Sequence, residues 1–95
     1  MFDEIFDSVK SLMGYASSSQ RVFAYKDDVI DLANVDYAEG VDRIQSLMAE
    51  MGSLDRQSFA NLIKFMAGEL SRSGHWMPAA KLMELHPVAE ELAGR

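Results

Sequence analysis

The stretch Tyr37-Ala38-Glu39-Gly40-Val41-Asp42-Arg43-Ile44-Gln45-Ser46-Leu47-Met48-Ala49-Glu50-Met51 decides the fold. Its apolar residues Tyr37, Val41, Ile44, Met48 and Met51 step by 4, 3, 4 and 3, which puts them on one narrow stripe of an α-helix. Seams of that kind occur in coiled coils and antiparallel bundles. Just upstream, Asp36-Tyr37-Ala38-Glu39 has the spacing of a capping box, with Asp36 and Glu39 each placed to serve an exposed amide. Downstream, Gly52-Ser53 ends this helix and caps the next.

The following segment repeats the rhythm with Phe59, Ile63, Met66 and Leu70, widened by Leu62, and stops near Arg72 and Gly74. Ile44, Met48, Phe59, Ile63 and Met66 sit at the centres of the two cleanest stripes and are the expected core. Upstream, Val22, Tyr25, Val29, Ile30 and Ala33 read as an earlier helix that Ser17 and Gln20 cap. Phe2, Ile5, Phe6, Val9, Leu12 and Met13 read as the first helix, ended by Gly14. Pro78 suits the first turn of a last helix holding Ala79, Leu82 and Leu85. Pro87, which lacks an amide hydrogen and crowds the carbonyl four residues back, should interrupt it.

The expected fold is all-α, a compact antiparallel bundle of about five helices, with residues 1–95 forming a single domain. No strand, internal repeat or linker breaks that pattern. Gly40 and Gly68 fall inside helices, each at a cost of about 1 kcal/mol against Ala. Such a glycine marks either a close helix crossing or tolerated weakness near a helix end.

Composition narrows the function. The chain is 48% hydrophobic and 25% charged, as globular domains are, and seven Met with no Thr favour helix over strand. The absence of Cys removes disulfides, thiolate metal sites and cysteine nucleophiles. With acids at Asp3 and Glu4 and no long apolar run, a cytoplasmic location is expected. The net charge is −6, and six acids with no base lie between Asp27 and Asp42. That balance repels phosphate backbones and anionic lipid, so nucleic acid and membrane are not expected partners.

Several chemistries fail on spacing. His75 and His86 are eleven apart, and neither has a second His three or four residues away, so no metal site is expected. A calcium loop started at Asp31 or Asp36 meets Ala33 and Val35, or Ala38 and Gly40, at ligand positions. Ser71, Ser73 and His75 lie close together without a carboxylate to orient the imidazole. A helix-turn-helix over Phe59–Leu85 has a connection that looks too long and a second helix whose cation Lys81 is offset by Glu84. No cofactor is expected.

What remains are surfaces. Asp27, Asp28, Asp31 and Asp42 are either a solvated face or a patch that docks a basic partner. Trp76, with Met77, is either a core plug or an interface anchor. Met48, Met51 and Met66 with Phe65 can fill the core or accept a partner helix. The helices holding Phe2–Met13, Val22–Ala33 and Phe59–Leu70 carry apolar residues on more than one face, which makes a homodimer the expected outlet. The sequence therefore points to a non-catalytic, regulatory or adaptor-like interaction module. Its alternatives are an acidic inhibitor or immunity-type protein that blocks a basic partner, and a small ligand-binding bundle.

Overall fold

The computed structural model describes residues 21–94. Arg21 and Val22 are helical, Phe23–Tyr25 tighten into a 3-10 turn, and four α-helices follow: α1 (Lys26–Leu32), α2 (Tyr37–Ala49), α3 (Ser53–Arg72) and α4 (Trp76–Ala93). Among the described residues there is no strand, so the chain is all-α. The helix expected over Phe2–Met13, its stop at Gly14 and the cap at Ser17 and Gln20 lie outside the described residues. The helix expected over Val22–Ala33 is not uniform, because the 3-10 turn divides it.

Local chemistry explains most boundaries. The Glu39 amide donates to Asp36 Oδ1 at 2.9 Å, as the capping pattern predicts. The Glu39 carboxylate pairs forward with Arg43 at 2.8 Å. At the start of α3 the cap is Gly52 rather than Ser53, with no side-chain bond, and Ser53 is the first helical residue. Arg56 Nε donates to the Met48 carbonyl at 2.9 Å and so satisfies an acceptor in the last turn of α2.

The end of α3 is a Schellman motif. Gly74, at φ +85°, donates its amide to Ser71 O at 3.1 Å, and His75 donates to Leu70 O at 2.8 Å. Pro78 lies in the first turn of α4 as expected, but Pro87 does not interrupt that helix. The bond Pro87 forfeits is one to the Met83 carbonyl. Both residues are exposed, so water is at hand for that acceptor.

One core holds these elements. Val29, Leu32, Ile44, Met48, Phe59, Ile63, Met66 and Leu82 are each at most 1% exposed. The five residues expected at the centre are all among them. α3 and α4, joined by the short turn Ser73–His75, share the most extensive contact, and α2 crosses α4. At that crossing a β-carbon on Gly40 would stand 2.8 Å from Leu85 Cδ1, so Gly40 serves a close approach. Gly68 does not, since the nearest atom to its β-carbon position is Arg72 Nη2 at 3.9 Å. Tyr25 meets Phe59 edge to face, with ring centroids 6.0 Å apart, and ties the 3-10 turn to α3.

Arg21 clasps the first turn of α3, donating to both Asp55 oxygens, with Nη2 at 2.7 Å from Oδ1. This hydrogen bond, helped by opposite charge, holds the Asp55 carboxyl below its usual range and raises the Arg21 guanidinium. The clasp therefore adds stability at neutral pH that fades as acid protonates Asp55.

Urea unfolding checks three substitutions. Replacing Ile63 with Ala should cost about 2–5 kcal/mol, because the site is closed on all sides. Gly40→Ala should destabilise by about 1 kcal/mol or more, as crowding of Leu85 outweighs the gain in helix propensity, whereas Gly68→Ala should stabilise by about 0.5–1 kcal/mol.

Candidate functional site

The turn that ends α3 also presents the most exposed aromatic among the described residues. Because Gly74 takes the left-handed conformation, the chain reverses within three residues and Trp76 becomes the first residue of α4. Its indole Nε1 donates to the Ser71 carbonyl at 3.0 Å. The ring's polar atom is thus bonded within the chain, yet the residue is 71% exposed. Held by a hydrogen bond and displayed to solvent, this Trp is not the core plug that its size could have made it.

Trp76 does not stand alone. Met77 is 76% exposed and Met83 47%, and Ala80 and Pro87 are exposed as well. Trp76, Ala80, Met83 and Pro87 step by 4, 3 and 4, the spacing of a helix stripe, here turned outward. Beside the stripe an open groove runs between α3 and α4, lined by Lys64, Ala67, Gly68, Ser71, Trp76, Ala79, Ala80 and Met83. Most of its lining is apolar. Gly68 widens the groove, since no side chain stands between Lys64 and Ser71 on that face.

The acidic residues divide. Asp28 and Asp42 line one shallow hollow between α1 and α2, with Glu39, Arg43, Ser46 and Leu47. Asp27 and Asp31 are exposed but lie outside its lining. The structure thus brings together two of the four expected residues and adds Glu39. Arg43, paired with Glu39, tempers the charge of the hollow.

Of the two roles open to Met48, Met51 and Met66, they take the core, at 1%, 7% and 0% exposed. Among the described residues the exposed apolar surplus sits chiefly on α4, with Leu54 at 72% and Tyr37 at 54% standing elsewhere. His86 is buried, with Nδ1 3.3 Å from Glu90 Oε1, and His75 is exposed at the cap of α4, so the two histidines lie apart in character as in sequence. No three His, Cys, Asp or Glu side chains among the described residues group in a way that could hold a metal ion. The connection between α3 and α4, which looked too long for a helix-turn-helix, is three residues. Among the described residues no helix is long and apolar enough to cross a membrane.

Sequence reasoning named Trp76 and Met77 but missed Ala80, Met83 and Pro87. Their spacing was legible. The assumption that Pro87 breaks the helix kept them from being read as one stripe.

Compared with known protein families, curated proteins and solved structures, the chain finds no match in any of the three.

At concentrations low enough to keep the protein dispersed, Trp76 emission should resemble that of free tryptophan and be readily quenched by acrylamide. It is the sole Trp of the chain, so the reading is unambiguous.

Proposed function

We propose that this chain is a non-catalytic protein–protein interaction module, regulatory or adaptor-like, that works in the cytoplasm. Its docking surface is the α3–α4 face around Trp76. The helices act as an antiparallel bundle whose closed core gives that face a rigid support. One observation carries the reading: Trp76 is fixed by its own hydrogen bond to Ser71 and still 71% exposed. A large aromatic presented without freedom to reorient loses little entropy on binding, which is what an interface anchor requires. Met77 and Met83 beside it offer adaptable apolar contact.

A second reading rests on the hollow where Asp28, Glu39 and Asp42 converge. In it the chain is an acidic inhibitor or immunity-type protein, and the hollow receives a cation of a basic partner.

Capture of bound proteins from the source cells separates the two readings. With Trp76→Ala and Met83→Ser the specific partner should be lost while circular dichroism is unchanged, since both residues are exposed. Reversing Asp27, Asp28, Asp31 and Asp42 to Lys should leave that partner bound. The opposite pattern, with an association rate that falls as salt rises, would move the function to the acidic hollow.

A further inference from the structure

The groove between α3 and α4 has two unlike ends. Ser71 and Trp76, joined by the indole hydrogen bond, close the end at the turn. Lys64 lies seven residues back along α3 and Met83 seven residues on along α4. At 1.5 Å per residue that places them about 10 Å away, at the other end. Gly68 and Ala80, midway on their helices, keep the walls low. A β-carbon on Gly68 would find nothing nearer than Arg72 Nη2 at 3.9 Å, so the notch there is open.

Charge decides what the groove accepts. The chain has 15 acids and 9 bases, yet among the described residues Lys64 is the one charged group in this lining. A second hollow shares Lys64 and Gly68 on the outward side of α3, adds Arg72, and again holds no carboxylate. Arg72 is tied to Glu69, whereas Lys64 is exposed and has no ion-pair partner among the described residues. The acidic excess lies elsewhere. Residues 51–95 carry five acids and five bases, and the converging carboxylates are those of α1 and α2.

We propose that the groove receives one amphipathic helix of another protein, with a large apolar residue on Trp76 and a carboxylate seven residues away on Lys64. This rests on the docking face proposed above and gives its partner a chemistry. Both walls are helices that use their own amides and carbonyls, and the Ser71 carbonyl at the end also takes the indole. An extended segment would therefore find no ladder to join. A helix brings its backbone bonds with it, and two of its turns match the groove's length. Its residues three and four places on from the anchor meet Gly68 and Ala80 and have to be small. A fatty acid fits less well, because an open groove leaves much of its chain in water.

The test uses synthetic helix-forming peptides and Trp76 fluorescence of the full chain. One peptide carries leucine, alanine, alanine and glutamate at positions i, i+3, i+4 and i+7, and its twin has lysine in place of the glutamate. The glutamate peptide should shift Trp76 emission to the blue and shield it from acrylamide, binding about three- to tenfold tighter than the twin at low salt. Lys64→Glu should reverse that preference. Gly68→Leu, which fills the notch without touching the core, should abolish binding of both with circular dichroism unchanged.

Failure of the glutamate peptide to shield Trp76 would overturn the proposal, as would binding that Gly68→Leu leaves intact. Equal affinity for both peptides, before and after Lys64→Glu, would overturn the acidic character of the partner. Decanoate that shields Trp76 where neither peptide does would assign the groove to a small amphipathic anion instead. If the peptides fail while Trp76→Ala still loses a captured protein, the acidic helix is excluded and the docking face stands. If Trp76→Ala loses nothing either, both readings fall.

Discussion

At Gly40 the backbone of α2 comes so near α4 that a β-carbon would stand 2.8 Å from Leu85 Cδ1. At this contact α2 and α4 meet with no side chain on Gly40 between them, and Leu85 is buried against it. Leu82, His86 and Ala89 are buried on the same helix, which packs most extensively against α3. A helix with apolar residues around most of its circumference would need neighbours on every side. Among the described residues α2 and α3 are its principal neighbours, so one apolar strip, from Trp76 to Pro87, is left outside.

The turn before α4 converts that leftover strip into a defined surface. Gly74 accepts the left-handed backbone that residues with a β-carbon resist, and the two Schellman bonds fix the reversal. Ser71 then accepts a second donor, the Trp76 indole. A tryptophan free to choose would fold its ring against the nearest apolar surface. This one is held where the groove of Ala67, Gly68 and Ala80 begins. Rigidity in the turn and exposure of the ring have the same origin.

Electrostatics divides the molecule differently from hydrophobicity. The acids of α1 and α2 gather around a hollow that Arg43 partly neutralises, while the clasp of Arg21 on Asp55 secures the chain just ahead of the 3-10 turn. Exposed pairs of this kind add little stability each.

Helical character, the stripe from Tyr37 to Met51, the cap at Asp36 and the buried set around Ile63 were all legible in the sequence. They follow from periodicity and capping, which act over a few residues. Pro87 was misjudged because the cost of a missing hydrogen bond depends on whether the orphaned carbonyl meets water, and the sequence does not say which way it faces. The same ignorance of facing hid the fate of Trp76 and the methionines, since an apolar residue at helical spacing is as suited to a core as to an interface. Only tertiary packing decided that Met48, Met51 and Met66 go inside while Trp76, Met77 and Met83 stay out. The physical reason is that burial is a property of neighbours. The sequence by itself determined which stripes had to be covered, and the packing of α4 against α2 and α3 decided which of its residues were.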